Sequence, residues 1–185
     1  MAIVLVIAHR LSELRENFSL HRGPERKVQA GRKPLLLHVY IDADACPVKN
    51  EVYKVAGRYG LGVTLVANSW MNHPGGPSVR LEVVPDGPDA ADDWIVAHVE
   101  RHDIVITGDI PLAARCLDKG ARVLGHKGRE FTDANVGDAL AGRHLATMLR
   151  DQGVMTGGPP PFAPKDRSLF LQKLDELVNA VRREA

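Results

Sequence analysis

From residue 35 onward, compact apolar runs alternate with stretches whose apolar residues recur every three or four positions. Leu35–Ile41 is almost wholly apolar, the pattern of a strand covered on both faces. After it, Pro47 suits a first helical position, and Val48, Val52, Val55, Ala56 and Tyr59 keep helical spacing until Gly60 stops the helix. GVTLVA (62–67) predicts a second strand and NSWMNHPGGPS (68–78) a loop. Val79–Val84 alternates, so a third strand nearer an edge is expected. A helix starting at Asp89 or Asp92 carries Ile95, Val96 and Val99. Asp103–Thr107 predicts a fourth strand, Ile110–Lys119 a helix ending at Gly120, and Ala121–Leu124 a fifth strand. Thr132 is placed to cap a helix reaching about Arg150, which Gly137 and Gly142 weaken. Beyond TGGPPPFAP (156–164), a last helix sets Phe170, Leu174, Leu177, Val178 and Val181 on one face. That stripe could cover the sheet or serve a homodimer. Strands alternating with helices predict a doubly wound α/β domain, a parallel sheet flanked by helices, over residues 35–185.

Residues 1–34 break this pattern. Apart from the apolar opening MAIVLVIA they are polar, with seven Lys/Arg against three Glu, and lack sustained periodicity. They read as a mobile basic extension or the product of an early start codon, with a phosphate-touching arm as the functional alternative. The rest of the chain holds 17 Lys/Arg against 20 Asp/Glu, so any nucleic-acid binding there depends on a local patch. MAIVLVIA is too short to span a bilayer and lacks the basic start of a signal peptide. The only cysteines, Cys46 and Cys116, suggest no disulfide framework, and a cytoplasmic location is expected.

The chemistry concentrates where strands end. Asp42 closes the first strand and Asp44 lies just beyond; Asp109 follows the fourth; Asp92 and Asp93 open the helix between. In doubly wound sheets ligands bind at the C-terminal strand ends, beside the point where strand order reverses. If strands one and four are neighbours, these carboxylates converge, and converging carboxylates stay ionised only beside a cation. Oxygen donors of this kind suit Mg²⁺ or Mn²⁺. Each Asp could instead merely cap a helix, although Asp42, at the end of an apolar strand, would gain little from capping. Asn68, Trp70, His73 and Arg80 combine stacking and polar groups as single-strand binders do. Arg122, His126, Lys127 and Arg129 form a basic run after the fifth strand that could hold phosphates. Cys46 reads as a small packed residue. No phosphate loop, zinc spacing or GxSxG elbow occurs.

IDADACP, VANSW, the D-x-A-D-D-x-I of residues 89–95, ITGDIPLA and MTGGP, in this order over residues 38–184, resemble the YaiI/YqxD family of uncharacterised bacterial proteins. That family is related to PIN/NYN-type nuclease domains. The resemblance implies a PIN-like fold whose acidic strand ends bind divalent metal and hydrolyse RNA. It implies Asp42, Asp92 and Asp109 as catalytic metal ligands, with Asp44 a further ligand or a supporting acceptor. In the family Asn usually stands where this chain has Asp93, whose role stays open. The expectation is a metal-dependent ribonuclease acting on single-stranded RNA, with Asn68, Arg80, Lys127 and Arg129 as nucleic-acid contacts. A PIN-like module that binds RNA or protein without cleavage is one alternative. Another is a haloacid-dehalogenase-like phosphatase with Asp42 as nucleophile. Ala113, standing where such phosphatases carry Asp, weakens that second alternative.

Overall fold

Three strands, the second and fourth in chain order buried on both sides and the first buried on alternate residues, form the centre of a six-stranded sheet, seen in a computed structural model that describes residues 37–44, 46–153 and 160–184. The expectations for residues 1–34, for Leu35 and Leu36, and for MTGGP lie outside the described residues. The strands are β1 (His38–Asp42), β2 (Gly62–Ala67), β3 (Val79–Val83), β4 (Ile104–Ile106), β5 (Arg122–Leu124) and β6 (Glu130–Phe131). Their order is β3-β2-β1-β4-β5-β6, all parallel except β6, which runs antiparallel to β5. The helices are α1 (Lys49–Tyr59), α2 (Ala90–His98), α3 (Ile110–Asp118), α4 (Asp133–Asp151) and α5 (Pro164–Glu184). This is the doubly wound α/β architecture that the alternation predicts. Among the described residues, no helix is long and apolar enough to cross a membrane.

Alternation along the strands divides the core. Val39, Ile41, Val63, Leu65, Ile104 and Ile106 point to α1 and α5, whose Val52, Val55, Phe170, Leu174, Val178 and Val181 meet them. Each such buried side chain contributes about 2 kcal/mol. The α5 stripe thus covers the sheet within the chain, and of its two sequence readings this one holds. On the opposite face Val66, Val105 and Val123 pack against Ala91 and Ile95 of α2 and Leu112, Ala113 and Cys116 of α3.

Several boundaries differ from the sequence reading for local reasons. Pro47 precedes α1 by two residues, because Val48 is non-helical (φ −114°, ψ 18°) and occupies the cap position. Gly60 ends α1 with φ 67°, a conformation that favours glycine. Asp103 belongs to no strand: its carboxylate accepts from the backbone amides of His38 and Glu100, each at 2.9 Å. β6 is two residues long, too short to carry a periodic signal. Thr132 does cap α4, its amide donating to Asn135 Oδ1 at 3.1 Å, and the helix runs on through Gly137 and Gly142 to Asp151.

Candidate active site

The strand order makes β1 the turning point, with β2 on one side and β4 on the other. Loops leaving β1 and β4 part in opposite directions, which opens a crevice at their C-terminal ends. Asp42 closes β1 on the α2–α3 face, two residues beyond Tyr40. The N-termini of α2 and α3 lie at the same edge and bring Asp92, in the first turn of α2, and Asp109, the cap residue of α3. Asp42, Asp92 and Asp109 therefore meet at one end of the sheet, drawn from three separate segments.

Thr107 organises the first contacts. It is fully buried after β4, its hydroxyl donating to Asp42 Oδ2 at 2.9 Å while accepting from the Asp109 amide at 2.9 Å. Asp109 Oδ1 accepts from the Leu112 amide at 3.0 Å, and Oδ2 from Arg143 of α4 at 2.8 Å. The capping reading is thus correct for one oxygen of Asp109, and Arg143 supplies a counter-charge to the other. Among the described residues no hydrogen bond or ion pair reaches the Asp92 carboxylate.

The electrostatics follow. Burial raises the Asp42 pKa, the Thr107 hydroxyl opposes the rise, and the Asp44 and Asp109 charges add to it. Asp92 is pushed up to about 6, first by burial, then by the charges of Asp109, Asp42 and Asp89. The crevice therefore holds more negative charge than its surroundings neutralise. Among the described residues, however, no group of three or more His, Cys, Asp or Glu is in position to hold a metal ion. Asp109 has both oxygens engaged, and mutual repulsion opposes closer approach of the acids. The donor chemistry is of the kind a hard divalent cation takes, since Asp42, Asp92 and Asp109 are all carboxylates and Asp92 lacks a partner among the described residues.

The other expected residues scatter more widely. Asp44 is exposed and its Oδ2 accepts from the Asn68 amide at 3.0 Å, tying the β1 turn to the end of β2. Asn68 thus enters through its backbone. Asp93 points away and pairs with Arg115 of α3 at 2.6 Å, a surface link between two helices. Lys127 donates to the carbonyls of Pro160 and Pro161, bracing that loop. Arg129 is exposed, its guanidinium 5.4 Å from the Phe131 ring centroid. Arg122 is held by Glu130 and Glu184 at the opposite end of β5. Arg80 lines a groove on the α2 face beside Tyr40 and Trp94, and Trp70, 73% exposed, is not among that groove's lining residues. Cys46 is buried with its thiol pushed up to about 11, as expected of a packed residue.

Two residues at the crevice, Thr107 and Lys49, escape sequence reasoning as site members, and a third, His126, enters it only as part of the basic run after the fifth strand. Thr107 sits inside ITGD but reads as the last residue of a strand. Lys49 opens α1, donates to the Ala43 carbonyl at 2.8 Å, and its charge lowers the pKa of Asp42. His126 packs against Gly108, where an added Cβ would lie 3.3 Å from the ring. Its Nε2 is buried without a hydrogen-bond partner, and burial, then Lys49, lowers its pKa, so the ring is neutral near pH 7. His126 opens HKGR, and that basic run is its signal in the sequence; nothing there singles out Lys49.

Fold and site together define a doubly wound α/β protein with an acidic crevice at its topological switch point. Residues 40–180 match the family described as an uncharacterised BCR, the YaiI/YqxD family. The chain belongs to that family. It is 57% identical over 145 residues to a UPF0178 protein of Paramagnetospirillum magneticum, covering 78% of this chain and 96% of the relative. A UPF0178 protein of Parvibaculum lavamentivorans is 55% identical over 148 residues, covering 80% and 97%. A third, from Rhodospirillum rubrum, is 53% identical over 148 residues, covering 80% and 99%. No solved structure shows significant similarity to the chain.

Proposed function

We propose that the crevice is the active site of a divalent-metal-dependent hydrolase that cleaves phosphodiester bonds of single-stranded RNA. The observation that carries this reading is the meeting of Asp42, Asp92 and Asp109 at the β1–β4 switch point, where burial and then neighbouring carboxylate charges, that of Asp109 among them, raise the pKa of Asp42 and Asp92. Asp42, Asp92 and Asp109 would hold Mg²⁺ or Mn²⁺, and Asp44 stands near enough to add its charge. When bound, such an ion supplies Lewis acidity to a phosphoryl oxygen and acidity to water. The chain's own residues do the rest. Thr107 orients Asp42 through its hydroxyl, and Lys49 offers a cation to a phosphate entering between β1 and β4. Neutral His126, beside Gly108, can accept a proton at Nε2. A cation held there would take over the charge that Arg143 now gives Asp109. Two buried thiols suit a cytoplasmic setting.

The phosphatase reading needs Asp44 to move a proton, and its Oδ2 is engaged by the Asn68 amide instead. The experiment is cleavage of labelled single-stranded RNA with Mn²⁺ or Mg²⁺ by the wild type, Asp42→Asn and Asp109→Asn. Cleavage lost in both variants supports the reading. Equal cleavage in all three, or none in the wild type, overturns it, the latter leaving a binding module.

A further inference from the structure

On the other flank of α2 the sheet is open. Two residues along a helix turn it by about 200°, so Trp94 faces away from Asp92 and toward β2 and β3. There a groove of about 500 Å³ is lined by Tyr40, Thr64, Arg80, Glu82, Trp94 and His98, among others. Its wall is aromatic and held in place. The Trp94 and His98 rings stack at 3.6 Å and 14°, with Tyr40 6.3 Å from Trp94 at a tilt of 58°. The Tyr40 hydroxyl donates to the His98 carbonyl at 3.1 Å, and His98 Nδ1 lies 2.7 Å from the Trp94 carbonyl oxygen. These contacts fix the rings before any ligand arrives, which lowers the cost of stacking a further ring on them.

The floor is charged. Arg80 is exposed on β3 and makes no ion pair among the described residues, and Glu82 lies two residues along on the same face. A planar ring with one anionic group matches an aromatic wall beside a single guanidinium. The carboxylate of Glu82 disfavours several charges together, so a single phosphate fits and a polyphosphate does not. The volume lies within the range of small-ligand sites.

We infer that this groove is a nucleotide-binding site, stacking a base on the Tyr40–Trp94–His98 wall and pairing its phosphate with Arg80. It is separate from the acidic crevice and does not depend on hydrolysis there. The nucleotide is either a free nucleoside monophosphate or one unit of a single strand.

The test uses the full chain in EDTA, which suppresses cleavage. The protein has two tryptophans, so Trp70→Phe leaves Trp94 as the sole indole reporter. Oligoadenylate and AMP are titrated separately while Trp94 fluorescence is followed. A saturable change is expected. Tighter binding of oligoadenylate identifies a strand, and equal affinity per nucleotide identifies the free nucleotide. Adding Arg80→Ala should weaken binding about tenfold or more, the loss of a charged hydrogen bond. Adding exposed His98→Ala should weaken it about fivefold through lost stacking. Asp42→Asn should leave the titration in place, so failure of the hydrolase reading and failure of this one are distinguishable. No saturable change with either ligand overturns the inference, as does a titration that Arg80→Ala leaves unaltered in a folded protein.

Discussion

The β1–β4 strand pair carries a carboxylate drawn from open solvent at each end, Asp103 buried and Asp42 half-buried, and the two are built differently. At the N-terminal end Asp103 accepts from two backbone amides, those of His38 and Glu100, both at 2.9 Å. At the C-terminal end Asp42 receives one hydroxyl, from Thr107, and faces the charges of Asp44 and Asp109. Burial raises the pKa of both. For Asp103 fixed donors oppose that rise, which is how a carboxylate is used to tie a turn to a strand. For Asp42 like charges add to it. A perturbed carboxylate therefore does not by itself mark a functional site; the sign and source of what surrounds it do.

The largest expected effect breaks the C-terminal end. Asp42→Asn or Asp109→Asn should lower metal-dependent RNA cleavage by about 10³-fold, measured as initial rates. Asp42→Asn should also leave the urea midpoint unchanged or raised, because it removes repulsion.

Asp103→Ala should do the reverse. Two partly buried amides lose their acceptor, and stability should fall by about 2 kcal/mol, read from urea unfolding. Mn²⁺ affinity of the folded fraction should stay at the wild-type value. A variant that unfolds less but loses metal binding would erase the contrast between the two ends.

A pH series sharpens the comparison. The folded Asp92 carboxyl, at about 6, holds its proton more tightly than in the unfolded chain. Its contribution to stability is therefore greatest at low pH and declines as pH rises from about 4 to about 6. Asp42 and Asp103, also raised, act with the same sign. Asp92 is partly open to solvent, so its share should be about 1 kcal/mol after screening. Urea unfolding in EDTA should show that slope, and Asp92→Asn should flatten it.

The smallest effect concerns Arg143. Its pair with Asp109 is partly exposed, so Arg143→Ala should change stability by less than about 1 kcal/mol. Mn²⁺ affinity should rise, because Asp109 Oδ2 loses its competing cation; calorimetry would detect the change.

The acids were legible because a carboxylate closing an apolar strand is chemically out of place, and because βα alternation says which strand ends share an edge. Asp42, Asp92 and Asp109 needed only the adjacency of β1 and β4. Asp93 was not separable from Asp92 by pattern: one residue turns a helix by about 100°, and only the packing of α2 on α3 decides that Asp93 meets Arg115. Thr107 looked like strand, since its side-chain hydroxyl acts across a strand pair. Lys49 lies close to Asp42 in sequence but reads as an ordinary first-turn helix residue, and His126 reaches the crevice from the loop after β5. Trp70 reads equally as a stacking surface or a partly buried anchor, and it is exposed; Trp94 is the indole set beside other rings, a matter of which flank of α2 covers the sheet. The basic run after β5 divided for a similar reason, with Arg122 at the end of β5 remote from the crevice.

On the proposed reading the C-terminal end of the β1–β4 pair is a cation site and the N-terminal end is not. Calorimetric titration of Mn²⁺ into the wild type, Asp42→Asn and Asp103→Asn at neutral pH tests it directly. The expected result is saturable binding in the wild type and in Asp103→Asn, and its loss in Asp42→Asn. Binding that survives Asp42→Asn unchanged, or is absent from the wild type, would contradict it.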